Sequence, residues 1–303
     1  MKQFLRLAAF LATFGFVPLA NAATCFWVGG TGSWSTANAA SWSSGTGGAG
    51  STCAATGGIP KQAADVATFD GASGGGTVTV DSTLNGVTLT QITAGAFTGT
   101  LDFSANNPSM TLTASFSITG AGTRTINLGS GTFTLPATNA NNWDATTVTG
   151  LTFNAGTSTI LIPNGANGNA ATFVGGGLTY STLSLGARAS GSGVSISGNN
   201  TFATLLVAGP ININLTGGAT QTITNAIAWN GSSSALIAIF CSSATKGTLA
   251  VAVGSVTSWS ALKNITFTGT TVAATSSFDL GGNTGVTITA PSGGGGGGRI
   301  IGG

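Results

Sequence analysis

Neither histidine nor glutamate occurs anywhere in this 303-residue chain, and charged residues make up only 5 % of it. Without histidine, and with three cysteines and no Cys-x-x-Cys, zinc has almost no ligand set to draw on. Without glutamate, six aspartates are the only side-chain carboxyls for acid–base work: Asp65, Asp70, Asp81, Asp102, Asp144 and Asp279. Past residue 22 no apolar run is long enough to span a membrane, a task that takes about 20 residues. No stretch there keeps a period of 3.6. What fills the chain is Gly, Thr, Ser, Ala and Asn threaded with short apolar runs.

Residues 1–22 carry the layout of a secretory signal peptide. Lys2 and Arg6 precede an apolar stretch from Leu7 to Leu19, and Ala20-Asn21-Ala22 supplies the small-x-small cleavage site. The mature chain is then expected to start at Ala23. Removing the leader takes two of the eight basic residues, leaving six against six Asp and a formal charge of zero. A neutral chain without a basic stripe has no electrostatic basis for nucleic-acid binding. Low charge alone would permit disorder, but a hydrophobic fraction of 42 % in strict alternation argues for a packed core. An oxidising compartment suits Cys25 and Cys53, which lie close in the mature N-terminal segment and are candidates for one disulfide. Cys241 ends the apolar run Ala235 to Phe240 and reads as a buried small hydrophobe.

From about Val66 to Ala290 the chain is a series of short runs of period two. Thr77-Val78-Thr79-Val80, Thr132-Phe133-Thr134-Leu135 and Ile211-Asn212-Ile213-Asn214-Leu215 are typical, with Thr, Ser or Asn set outward and apolar side chains inward. Gly, Asn and Ser punctuate the boundaries. This predicts an all-β chain. A tetrad recurs at Gly86-Val87-Thr88-Leu89, Gly150-Leu151-Thr152-Phe153, Gly177-Leu178-Thr179-Tyr180 and Asn264-Ile265-Thr266-Phe267. Its intervals suit multiples of about 21–22 residues with one insertion, a solenoid coil length. A right-handed parallel β-helix is therefore the expected architecture, with a β-sandwich as the alternative. The helix is preferred because so many uncharged strand edges would aggregate unless each strand stacked on the next.

The expected organisation is a leader (1–22), an N-terminal cap (23–65) rich in aromatics (Trp27, Trp34, Trp42), a β-solenoid (66–291) and a Gly-rich flexible tail (292–303). The tail runs through Gly293 to Gly298 and ends with Ile300 and Ile301 as a candidate docking tip. The three tryptophans are expected to pack the cap rather than to form a sugar-stacking platform.

Several strings together resemble a large family of Gly/Thr-rich β-solenoid proteins of phage and prophage structural regions and of secreted bacterial surface proteins. They are WVGGTGSW from Trp27 to Trp34, TRTINLGSGTFTL from Thr123 to Leu135, GLTFNAGTSTI from Gly150 to Ile160 and FVGGGLTYSTLSL from Phe173 to Leu185. GNNTFATLLV from Gly198 to Val207 and GGATQTITN from Gly217 to Asn225 extend the likeness over most of the mature chain. The resemblance implies a repetitive β-helix on a cell surface or in a virion appendage, and brings no catalytic residues with it. The export signal and the glycine tail depart from that pattern; they count against a purely tail-fibre assignment and leave a secreted surface protein open.

The functional expectation is a non-enzymatic structural or adhesin-like attachment protein, secreted to the cell surface or carried on a phage tail. Cell-surface or virion components, surface glycans and further copies of itself are the expected partners, with no cofactor and no metal. The enzymatic alternative is a tailspike-like hydrolase cleaving polysaccharide with two Asp carboxylates, which would have to stand about 5–9.5 Å apart. Asp102 and Asp279 read as outward positions in alternating strands, able to meet another carboxylate only across coils. Gly175-Gly176-Gly177 is no phosphate loop, because no Lys-Ser/Thr follows it.

Overall fold

The computed structural model describes residues 22–137, 141–165, 170–188, 193–227, 229 and 231–292. The leader up to residue 21 and the tail with its Ile300-Ile301 tip lie outside the described residues. Within them the chain is all-β and its strands pair in parallel. Nineteen strands join in one continuous hydrogen-bonded system, five in a second and three in a third. Among named strands only Thr24–Trp27 with Trp42–Ser43 runs antiparallel, so the sandwich alternative, built of antiparallel sheets, is not what this sequence forms. The arrangement is consistent with a parallel β-solenoid.

Alternation in the sequence becomes rows in space, because parallel register sets each residue over its counterpart one pass earlier. One inward row runs Met110, Phe133, Ile160, Leu183, Leu205. A second runs Val78, Leu101, Ile126, Phe153. A third runs Ile92, Phe116, Trp143, Phe173, Ile196, Leu215. These rows converge in one hydrophobic core that continues from Ala23 to Ala274. Burying each large apolar side chain contributes roughly 1.5–3 kcal/mol, which makes the stacked rows the principal source of stability.

The step between register partners is not the constant 21–22 residues expected. It holds from Thr179 to Thr201 to Thr222, but Trp143 pairs with Phe173 and Val272 with Val286. Loops at the corners absorb the difference, since only the strands must keep register. The recurrent tetrad marks something more local. Gly86, Gly150, Gly177 and Asn264 all take positive φ, between 59° and 79°. Each opens the strand that follows it, Thr88–Ala94, Leu151–Asn154, Thr179–Leu185 and Ile265–Gly269. The tetrad is a turn-into-strand signal, in which Gly or Asn supplies the left-handed residue that other side chains resist.

At the N-terminal end Trp27, Trp34 and Phe69 pack edge to face about Trp42, whose ring centroid lies 5.2 Å from Trp27, 5.3 Å from Trp34 and 5.5 Å from Phe69. The tryptophans are at most 2 % exposed, so they form no open platform for a sugar. Cys25 and Cys53 are joined in a disulfide across this cluster, Cα atoms 5.3 Å apart, and Cys241 is a buried free thiol. The parallel ladder reaches into this segment, since Thr24–Trp27 pairs with Val66–Phe69 and Gly32–Trp34 with Thr77–Val80.

A second aromatic column runs through the middle of the core from Phe103 to Phe202. Its one polar junction is Tyr180, whose hydroxyl accepts from Trp143 Nε1 at 2.9 Å and donates to the Gly175 carbonyl at 2.8 Å. Burial raises the Tyr180 phenol far above its ordinary pKa, so it stays a neutral donor.

Two outcomes follow from this packing. Tyr180→Phe should cost about 1–3 kcal/mol in denaturant melts, because it strands the buried Trp143 N–H and leaves the Gly175 carbonyl with the Leu178 N–H alone; a loss within a few tenths would mean the junction is dispensable. Replacing both Cys25 and Cys53 by Ser should lower stability by about 3–4 kcal/mol, the loop entropy of a crosslink of this separation. Non-reducing peptide mapping of the native chain should return Cys25 joined to Cys53 and Cys241 as a thiol.

Candidate functional surface

The outward rows are as regular as the inward ones. On the five-stranded sheet Thr77, Thr100, Thr125 and Thr152 stand in register. Two residues along, Ser33, Thr79, Asp102, Asn127 and Asn154 form a parallel row. There the Asn154 side-chain amide donates to Asn127 Oδ1 at 2.8 Å. Another face carries Thr220, Thr248, Thr266 and Thr284, with the Thr284 hydroxyl donating to that of Thr266 at 3.2 Å. Adjacent strands lie about 4.8 Å apart, so the rows repeat neutral donor–acceptor groups at that interval, interrupted in the second row by Asp102.

The six carboxylates all do one kind of work. Asp70, Asp81, Asp102, Asp144 and Asp279 each accept the backbone N–H two residues on, from Ala72, Thr83, Ser104, Thr146 and Gly281, at 2.8–3.1 Å. Asp65 is 1 % exposed and accepts from the N–H groups of Lys61 and Gln62 instead. These are turn caps, the Asx geometry that closes a corner after a strand. The Thr83 N–H holds the Asp81 carboxyl below its ordinary pKa. Its contribution is therefore present above the unfolded carboxylate range and fades as pH falls through the folded value.

Register also decides whether two carboxylates meet across strands. Asp102 sits between Thr79 and Asn127, and Asp144 between Ser117 and Val174. Asp279 partners Leu262. None stacks on another Asp. Asp102 is outward as expected, but Asp279 is not. Its register partner Leu262 and the preceding Ile239 are buried, so Asp279 occupies the inward row, and among the described residues no further strand pairs beyond it. The alternation Phe-Asp-Leu does not reveal this, because Phe278 is the residue that follows outward Ala261. Among the described residues no group of three or more Cys and Asp side chains could hold a metal ion.

Arg124 and Arg188, which sequence reasoning did not single out, lie in the core at 1 % exposure. Arg124 Nη1 donates to the carbonyls of Gly122 and Thr149, and Nη2 to those of Ile118 and Thr147, at 2.5–3.3 Å. Burial pulls its pKa down, yet four carbonyl dipoles compensate the charge without a carboxylate. The guanidinium thereby ties two successive corners, Ile118–Gly122 and Thr147–Thr149. The signal was there: Arg124, Ile126 and Leu128 alternate with polar residues, and only Arg124 breaks the apolar set. Of the described cations, Lys61, Lys246 and Lys263 remain for the surface.

Comparison with protein-family models, with curated proteins and with solved structures finds no match for this chain.

Arg124→Met keeps the side-chain bulk but leaves the buried Ile118 carbonyl and three part-buried ones without the guanidinium, and should cost about 1–3 kcal/mol by urea titration. Lys263→Met on the exposed face should change stability by less than about 0.5 kcal/mol. Equal effects would show that Arg124 ties nothing.

Proposed function

We propose that the mature chain is a right-handed parallel β-helix, closed at its N-terminus by the Trp27/Trp34/Trp42 segment. We further propose that it works outside the cell as a non-enzymatic structural or attachment protein of a cell surface or phage tail appendage. Right-handedness follows from the twist of L-polypeptide strands, which makes nearly all parallel crossovers right-handed. The observation that carries the function is the set of outward rows: neutral hydroxyl and amide groups repeated at strand spacing, with the carboxylates committed to turns. Such a surface suits a hydroxyl-rich, uncharged polymer, and surface glycans are the partner of that chemistry. The leader composition supports export, and the disulfide suits an oxidising compartment.

The test is incubation of the purified mature protein with host surface polysaccharides. The expected result is retention on the polysaccharide with no oligosaccharide released over hours. Steady release that disappears on Asp102→Asn or Asp144→Asn would replace the attachment reading with a glycoside hydrolase.

A further inference from the structure

Three strands, Thr220–Ile223, Gly247–Val251 and Ile265–Gly269, stack in parallel without a register shift. Their outward positions set Thr220, Thr248 and Thr266 in one row, which the bridge from Thr266 to Thr284 extends. Two residues along, a second row runs from Thr179 through Thr201 and Thr222 to Ala250 and Thr268. Between the rows Gln221, Leu249 and Phe267 face the core and are at most 5 % exposed. The threonines are half-buried or exposed.

The two rows make a lattice. Hydroxyls and γ-methyls repeat at about 4.8 Å from strand to strand and about 6.7 Å along each strand. Branching at Cβ leaves each threonine few χ1 choices, so little rotamer freedom is lost when a ligand settles on the face. No ionisable side chain interrupts either row, and Lys246, two residues before Thr248, marks the margin. The five-stranded sheet carries a comparable pair of rows, but there Asp102 places a charge in the second.

A surface ordered in two directions selects a ligand ordered in two directions. A dissolved polysaccharide chain repeats along one axis only, and a small ion offers no repeat. Charge complementarity narrows the choice further: an uncharged face of groups that both donate and accept calls for an uncharged partner that does the same. Solid water meets every one of these requirements. The prism face of ice repeats its oxygens at spacings close to those of the two threonine directions. Hydroxyls so placed hold water at lattice positions, whereas charged side chains would impose hydration shells of their own. We propose that the threonine face centred on Thr222, Thr248 and Thr266 is an ice-binding surface. Adsorbed copies would force ice to grow as curved fronts between them, which lowers the freezing point without lowering the melting point. This goes beyond the attachment reading and does not rest on it, since retention on soluble polysaccharide neither requires nor excludes a contact with ice.

Two measurements on the full mature chain test this: the gap between melting and freezing points of a single ice crystal, and partition of the protein into slowly growing ice. The wild type should open a gap that widens with concentration, facet the crystal and enrich in the ice fraction. Thr248→Tyr, which lifts a ring out of the middle of the lattice, should cut both readouts about tenfold, as a clash at the centre of a contact surface does. Its thermal melt should stay that of the wild type, because the position is outward. Thr266→Lys, on the next strand, should do the same and decides the question should the first variant fail to fold. Ser195→Tyr, outward between Thr172 and Asn214 and outside the lattice, should leave both readouts unchanged. A wild type that opens no gap and is excluded from ice overturns the proposal. So does a folded Thr248→Tyr or Thr266→Lys that keeps full activity, or an equal loss in Ser195→Tyr.

Discussion

Parallel in-register stacking is the constraint from which the rest follows. Every strand residue lies about 4.8 Å from its counterparts above and below, so whatever is placed in a row is repeated against itself. Apolar groups gain by this, since each buries its neighbour. Hydroxyls and amides gain too, because each can donate one way and accept the other, as Asn154 does to Asn127. Charges lose, since two like charges at that distance repel by about 1 kcal/mol even in water and by more near a protein surface. The scarcity of Glu, Lys and Arg is thus the composition that a stacked ladder selects, and the absence of Asp-on-Asp register is the same rule applied to the few charges retained.

Those few charges sit where stacking is interrupted. Five aspartates close corners by taking the N–H two residues on, and Asp65 closes one from the other side. Arg124 occupies an inward position at a corner, where the chain leaves the ladder and its carbonyls are free to accept. A strand interior offers no such acceptors, because its carbonyls are spent on the adjoining strands. The corner is the one place in this fold where a guanidinium can be buried without a carboxylate.

This division explains what could be read from the sequence. Period two depends only on nearest neighbours along the chain, so the strands, the inward sets and the cysteine-rich aromatic segment were legible. Coil length was not, since it is set by corner loops that register leaves unconstrained, and the tetrad that suggested a fixed repeat encodes a left-handed residue before a strand. Arg124 was overlooked because inward positions were read by the apolar rule, which its corner site suspends. Asp279 reads as outward because its two apolar neighbours, Phe278 and Leu280, mimic an ordinary alternation. Only the register with Leu262 shows that the strand enters the last pass in the opposite phase.

The ladder also tapers, and the taper sets what it can enclose. In the middle, register steps such as Trp143 to Phe173 and Phe133 to Ile160 enclose a column of aromatic rings. Toward the C-terminus the steps shorten, from Val251 to Gly269 and then from Val272 to Val286, and the enclosed side chains shrink to Val272 and Ala274. Fewer residues per pass enclose a smaller cross-section, and among the described residues Phe267 is the last ring buried within it.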